Sequence, residues 1–149
     1  MTERMPDGMP TVVVENQQQA CAAAAAAAAA QLRLDIRSAA WVADAYGPMV
    51  FAAMIAAARR AYPDADIRGI LDCGDSAGMA MAALRHGLDV GITVADPACA
   101  KLRQMAERSG RKVVTGEGPL LDLRGEPDPF TMCSRWVATL PDGRAQHRR

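Results

Sequence analysis

The chain is poor in aromatic and histidine residues and carries no net charge. Aromatic residues make up 4% of its 149 residues, and there are two histidines. Seventeen basic residues balance seventeen acidic ones, so the overall charge favours neither nucleic acid nor a membrane surface as partner. Trp41 and Tyr46 have no basic neighbours, which favours packing over a base-stacking platform. We therefore expect no nucleic-acid partner.

Pairs of closely spaced cysteines and targeting segments are also missing. The four cysteines form no CxxC pair, which favours reduced thiols over a disulfide framework or a structural zinc. The start, MTERMPDGMP, has acids and prolines but no apolar centre, unlike a signal or transit peptide. The alanine run at 22–30 is too short and too weakly hydrophobic to span a bilayer. We expect a cytoplasmic protein with no membrane partner.

The pattern along the chain predicts an α/β fold with a parallel sheet of about four to five βα units. Helical and strand-like stretches alternate at spacings of about 25 residues, as in βαβ units with right-handed crossovers. We predict a disordered N-terminus at 1–10, one α/β domain at 11–115, and an irregular tail at 116–149 in which a short hairpin could form around 134–140. The stretch around 41–48, with Gly47 and Pro48, reads as a loop.

In a parallel sheet, the residues just past the strand ends gather at one edge, where ligands bind. We predict that this rim is the site and that four of its members bind the ligand: Ser38, Asp72, Cys73 and Asp96. Cys73 has two interpretations. It is a small buried apolar group, or a thiol whose pKa is lowered by the N-terminus of the next helix.

The segment Gly74-Asp75-Ser76-Ala77-Gly78 offers an alternative chemistry. It has the G-x-S-x-G spacing of a nucleophile elbow between a strand and a helix, and it resembles the elbow of the hormone-sensitive-lipase group of hydrolases. However, His86 would lie about 15 Å along the same helix, and no HGG-type oxyanion motif precedes Ser76. We favour a helix start with Asp75 or Ser76 as N-cap, and keep a serine hydrolase or esterase as the alternative function.

A second resemblance extends over about a hundred residues. An alanine-rich helix follows the first strand, and further stretches come in the order Asp44-Ala45-Tyr46-Gly47, a long helix, Tyr62-Pro63-Asp64, Leu71-Asp72-Cys73-Gly74, and Ala83 to Asp89. In this order they resemble the N-terminal half of class II, metal-dependent fructose-bisphosphate aldolases, a TIM-barrel family. The resemblance implies a partial TIM barrel.

The same resemblance implies which chemistry is retained. Asp72 stands where the family has its proton donor or acceptor, while Cys73 replaces a zinc-binding histidine. A full barrel needs roughly 250 residues, and the family's later histidines have no counterpart here. We therefore expect no aldolase activity and no cofactor, with Cys73 the candidate ligand if zinc binds at all.

These observations lead to a function hypothesis with several versions. The chain binds a small molecule, phosphorylated or not, at the rim, or it acts through oligomerisation. Half a barrel leaves open sheet edges, and the apolar helix at 49–62 calls for cover on more than one side, so we expect a homo-oligomer.

A receiver-like domain with Asp72 as phosphoacceptor ranks last, because the required acidic pair and lysine are missing. Two basic clusters, around 101–112 and 144–149, favour solvated surface over a phosphate site.

Overall fold

The computed structural model describes residues 9–93, 96–114 and 118–141, without the side chain of Asp96. Six strands and five helices lie in this part of the chain. In chain order they are β1 (Thr11–Val14), α1 (Gln17–Ala30), β2 (Arg33–Ser38), α2 (Ala40–Ala61), β3 (Asp66–Asp72), α3 (Ala77–Arg85), β4 (Asp89–Gly91), α4 (Asp96–Arg108), β5 (Val113–Val114), β6 (Leu120–Asp122) and α5 (Pro129–Ala138).

The strands form one parallel sheet in the order β5-β4-β3-β2-β1-β6. The first five strands are neighbours in chain order, and β6 pairs on the far side of β1, with Thr11 opposite both Asp35 and Leu120. Consecutive helices contact one another along the row from α1 to α4, and α5 joins the layer beside α1. The α/β class with a parallel sheet is confirmed, and the arrangement resembles part of a TIM barrel.

The sheet must curve, because the two edge strands are joined by a short link. Val114 ends β5 and Leu120 begins β6, six residues later. Six Cα–Cα steps of extended chain span at most about 22 Å, whereas a flat sheet would hold these edges about 24 Å apart, five spacings of about 4.8 Å. The edges are therefore drawn towards each other, as in an arc of a barrel.

One face of the sheet is apolar and packs against the helices. Leu34 and Ile36 of β2 are fully buried there, and the alanine face of α1 lies close to the strands and to the neighbouring helices. Alanine lets helix and sheet approach closely and costs no side-chain entropy. Helix α1 begins at Asn16, whose Oδ1 accepts a hydrogen bond from Gln19 N at 2.9 Å.

The opposite face of the central strands carries a buried ion-pair network. Arg68 of β3 donates from Nε to Asp35 Oδ1 of β2 at 2.8 Å, and the same nitrogen lies 3.7 Å from Asp89 Oδ2 of β4. Both carboxylates are buried, and Asp35 is only 1% exposed. The side chains of a strand alternate between the two faces of the sheet. The charged residues of β2 that alternate with Leu34 and Ile36 therefore lie together on this second face.

Helix α2 corrects the predicted loop around 41–48. The chain is helical from Ala40, and the break is confined to Gly47, which has a φ of 80° and non-helical geometry. Pro48 follows at the start of a new helical segment, where its missing N–H costs nothing. Glycine and proline thus mark a kink between two helical segments rather than a loop. By length and composition alone, α2 could cross a membrane, a test that core helices also pass.

The C-terminal region differs from the predicted irregular tail and hairpin. Strand β6 belongs to the sheet, and residues 134–138, expected in a strand, lie in α5. The helix starts after Asp128, whose Oδ1 accepts from Thr131 N at 3.2 Å, and it packs on α1 through the buried Cys133 and Val137. Two apolar residues four positions apart suit a helix face, and this spacing outweighs the local strand propensity.

The predicted disorder at 1–10 falls largely on residues that the structure does not describe. Pro10 is buried, and its carbonyl accepts a hydrogen bond from Asp35 N at 2.9 Å. The ordered sheet therefore already includes residues just before β1.

Candidate functional site

A cleft of about 320 Å³ opens at the carboxyl ends of β1, β2, β3 and β6. We call it the carboxyl-end cleft. Its lining combines apolar with polar and charged side chains and consists of Val13, Arg37, Ser38, Ala39, Ala40, Asp72, Leu120, Asp122 and Arg124. It lies at the edge of the sheet where parallel α/β folds bind ligands.

Ser38 and Asp72 meet in this cleft, as their positions in the sequence predicted. The Ser38 hydroxyl accepts a hydrogen bond from Asp72 N at 2.9 Å, which ties the ends of β2 and β3 together. Asp72 Oδ1 accepts from Gly74 N at 3.1 Å. The serine is 1% exposed, while the Asp72 side chain keeps 22% of its surface accessible. Ser38 is therefore a structural support of the floor, and Asp72 is the member that a ligand can reach.

Arg37 is the principal residue that the sequence analysis missed. Its Nη2 lies 3.5 Å from Asp72 Oδ2, and 23% of its side chain is accessible. It reaches across β3 to β4, since a Cβ on Gly91 would lie 2.9 Å from Nη2. A glycine at the end of β4 thus leaves room for the guanidinium. The available signal was the alternation Leu-Arg-Leu-Asp-Ile-Arg, which places this arginine on the face opposite the core, one residue before the strand end.

Arg124 brings a second guanidinium from the loop after β6, a region that was expected to be irregular tail. Its Nε donates to both oxygens of Asp122, at 3.0 and 2.9 Å. These hydrogen bonds lower the pKa of Asp122 and raise that of Arg124. Glu15 Oε2 accepts from Gly125 N at 3.0 Å and so ties this loop to the end of β1.

Cys73 does not join Asp72 in the cleft. Because successive residues of a strand point to opposite faces, the thiol enters the core, where it is 6% exposed and directed at Leu71 O, 3.5 Å away. Burial, with a smaller contribution from the Asp72 charge, raises its pKa to about 12. Of the two interpretations of Cys73, this geometry agrees with the favoured one, a small buried apolar group, because loss of solvent outweighs any favourable effect of the helix end on the thiol.

Ser76 and His86 are the end residues of α3. Ser76 Oγ accepts from Met79 N at 3.1 Å as N-cap, and its φ of −94° shows none of the strain of a nucleophile elbow. His86 is the C-cap at the other end of the nine-residue helix, ten residues further on and about 15 Å away along the axis. The hydrolase alternative finds no support in this geometry.

One predicted ligand-binding residue remains to be placed. Asp96 is the first residue of α4, but its side chain lies outside the described part of the structure.

The described residues do not fit the zinc ion of the aldolase resemblance. Among them, no group of three or more histidine, cysteine, aspartate or glutamate side chains could hold a metal ion. Asp72 and the protonated Cys73 lie on opposite faces of the sheet end, whereas a catalytic zinc needs about three converging protein ligands and an open position.

Comparison with known proteins adds evidence on the fold. No protein-family model matches the chain, and no curated protein sequence does. Its structure is similar to that of a candidate fructose-1,6-bisphosphate aldolase from Coccidioides immitis, with a TM-score of 0.51 and 20% identity over 69% of this chain. The chain spans 38% of the length of that protein. A similarity to the YdjI aldolase from Escherichia coli K12, covering 95% of this chain and 89% of that one, has a TM-score of 0.41 and 11% identity. The first similarity shows an aldolase-like fold, and the second is too low to support an inference.

Proposed function

We propose that this chain binds a small anionic molecule, a phosphorylated one in particular, in the carboxyl-end cleft, and that it carries out no aldol reaction there. The observation that carries the proposal is that two guanidinium groups, those of Arg37 and Arg124, line one cleft at the ligand-binding edge of the sheet. Guanidinium forks bind phosphate and carboxylate groups through paired, charge-assisted hydrogen bonds.

The two arginines would contribute unequally. Arg124 is already engaged with both oxygens of Asp122, whereas the ion pair of Arg37 with Asp72, within the described part of the chain, is long, at 3.5 Å. An anion can therefore recruit Arg37 with little loss of existing hydrogen bonding. Asp72 then remains as an acceptor for a hydroxyl group of the same ligand, and Arg124 supplies longer-range attraction at the rim.

The chemistry of the donor set argues against aldol cleavage. Asp72 is the one chemical feature of the resembled motif that faces the cleft, and the neighbouring thiol is buried and protonated. Among the described residues no set of metal ligands accompanies Asp72, so proton abstraction from a weakly acidic carbon by this carboxylate would have to depend on the guanidinium groups alone for stabilisation of the enediolate. Binding without turnover is the function that this arrangement supports best.

The proposal is tested with fructose 1,6-bisphosphate and orthophosphate as probes in isothermal titration calorimetry. We expect Arg37→Gln to weaken binding about tenfold, as loss of a charge-assisted hydrogen bond does. Gly91→Ala removes no charge and should weaken binding less than Arg37→Gln does, because its Cβ would lie 2.9 Å from Nη2 and push the guanidinium aside. Arg60→Gln, an exposed arginine on α2, is the matched control and should bind as the parent does.

Two outcomes would contradict the proposal. If neither probe binds the parent protein, or if Arg37→Gln binds as tightly as the control, the assignment of the cleft is wrong. An aldol-cleavage assay with fructose 1,6-bisphosphate, run with and without added zinc, should show no turnover that depends on Asp72. Turnover abolished by Asp72→Asn would overturn the non-catalytic part.

Self-association is a second candidate, favoured by the surface of α2. Four large apolar side chains are between 41% and 67% exposed there, namely Trp41, Tyr46, Met49 and Val50. We propose that a second copy of the chain covers them, since contiguous exposed apolar groups mark interaction surfaces. Sedimentation velocity should show an oligomer that Met49→Glu dissociates and that Gln104→Glu, an exposed position on α4, does not; a parent protein that is monomeric at all concentrations would refute this.

A further inference from the structure

A second cleft lies at the opposite end of the sheet, between the last turns of α4 and the start of β5. We call it the α4–β5 cleft. Its volume is about 290 Å³, and it is lined by Arg103, Ala106, Glu107, Arg111, Lys112 and Val113. Helix-to-strand connections of a parallel sheet lie at the amino ends of the strands, so this cleft is separate from the carboxyl-end cleft.

The α4–β5 cleft concentrates positive charge in a chain whose formal net charge is zero. Three cationic side chains, Arg103, Arg111 and Lys112, share its walls with one carboxylate, that of Glu107. Its floor is apolar, since Ala106 and Val113 are buried. In the sequence these basic residues are typical of a solvated surface, but the fold gathers three of them around one depression.

Existing hydrogen bonds hold the β5 wall of the cleft in place. Arg111 Nη1 donates to Gly87 O at 3.1 Å, and its backbone N donates to Ala106 O at 2.8 Å. Lys112 N donates to Asp89 Oδ1 at 2.7 Å, and the other oxygen of Asp89 faces Arg68. The backbone that carries Arg111 and Lys112 is thus anchored to the buried ion-pair network, which lowers the entropy lost when a ligand is bound.

Stabilisation of the C-terminal end of α4 by nearby cations does not explain all of the basic residues around the α4–β5 cleft. Arg108 lies in the last turn of α4, where a cation stabilises the partial negative charge of the helix end. Arg111 and Lys112 lie beyond the helix, after the turn at Gly110, which has a φ of 71°. Arg111 uses part of its guanidinium on Gly87 O, and a guanidinium has five N–H donors in all.

We propose that the α4–β5 cleft is a binding site for a compact anion that carries phosphate groups, independent of the carboxyl-end cleft. Two arginine forks and a lysine point charge are the residue types that recognise phosphate oxygens. The volume is near the lower end of the range of ligand pockets, about 300 Å³, which suits a small polyphosphate group.

Pyrophosphate is the probe, titrated calorimetrically into the intact chain at an ionic strength of about 0.15 M, where charges more than about 8 Å apart are largely screened. Lys112→Gln and Arg103→Gln should each weaken one binding site about tenfold. Lys101→Gln and Arg108→Gln remove the same charge from α4 without touching the cleft lining. These controls should change affinity by less than about twofold, because exposed charges outside the site act only through screened attraction.

Arg37→Gln separates this site from the proposed function. If pyrophosphate binds the α4–β5 cleft, it should do so equally well when the carboxyl-end cleft is disabled, and Lys112→Gln should leave fructose 1,6-bisphosphate binding in that cleft unchanged. Equal losses in all four α4 and β5 variants would indicate general charge attraction and overturn the proposal. Loss of pyrophosphate binding in Arg37→Gln alone would likewise overturn it.

Discussion

Replacement of Arg68 by methionine should be among the most destabilising single changes in this chain. The guanidinium donates from Nε to Asp35 at 2.8 Å and lies 3.7 Å from Asp89, and it is the charge that both buried carboxylates face. Its side chain is 11% exposed, and that of Asp35 is 1% exposed. Methionine keeps an unbranched, apolar stem as far as the ε position and removes the guanidinium, and with it the charge and the donors.

The magnitude follows from what the substitution leaves behind. Breaking a buried ion pair by removing one partner costs about 3–5 kcal/mol, since the other charge stays buried without compensation. The whole free energy of unfolding of a domain of this size is about 5–15 kcal/mol, so Arg68→Met should remove a large part of it. Asp89 retains a hydrogen bond from Lys112 N at 2.7 Å, and we therefore assign most of the loss to Asp35.

Urea denaturation followed by circular dichroism measures this loss, with Arg60→Met on the surface of α2 as the matched control. The control should change the free energy of unfolding by less than about 0.5 kcal/mol. In the double variant Asp35→Asn/Arg68→Met, part of the stability should return, with a coupling of at least about 1 kcal/mol, because the unpaired charge is gone. A loss below about 1 kcal/mol in Arg68→Met, or strictly additive effects in the cycle, would refute the reasoning.

Further predictions concern the apolar side of the sheet. Gly69→Ala should destabilise the protein by about 1–3 kcal/mol, because its Cβ would lie 2.8 Å from a buried side-chain carbon of α2. Gly78→Ala, in open space on α3, should stabilise it by up to about 1 kcal/mol. Thermal melts that reverse this order would contradict the packing. Ellman's reagent at neutral pH should modify Cys73 and Cys133 much more slowly than Cys21 and Cys99, since burial raises the first two pKa values to about 12 and 11; equal rates by peptide mapping would show that these thiols are accessible. The free energy of unfolding should also fall as the pH rises above about 9, because thiols ionise there in the unfolded chain while the buried ones stay protonated; a flat alkaline profile in the parent, or no gain from Cys73→Ala at high pH, would count against it.

The local pattern was enough to predict that the site lies at the rim of the sheet, but not to predict every residue that forms it. Ser38 and Asp72 end neighbouring strands, so their meeting follows from the strand order alone. Cys73 was placed beside Asp72 by adjacency in sequence, although the alternation of a strand sends the two side chains to opposite faces. Arg37 became visible only when Gly91, on another strand, was seen to make room for it.

The C-terminal part shows a different limit. Trp136 to Leu140 has the β propensity of a strand, but Cys133 and Val137 share the face of a helix that α1 can cover. Local propensity is a weak signal, and tertiary burial decides between the two outcomes. Arg124, which lines the cleft, therefore could not be assigned to a site before the position of β6 beside β1 was known.

What the sequence by itself determined is the alternation of strands and helices, the parallel sheet that this alternation requires, and the edge where polar residues follow the strands. These features depend on hydrophobic period and on capping residues such as Asn16, which act over a few positions. Only the tertiary structure decided which charges meet, because Arg68 with Asp35, Arg37 with Asp72, and Arg111 with Gly87 each join residues more than twenty positions apart. Contacts of that kind depend on the register and curvature of the whole sheet, which no local pattern encodes.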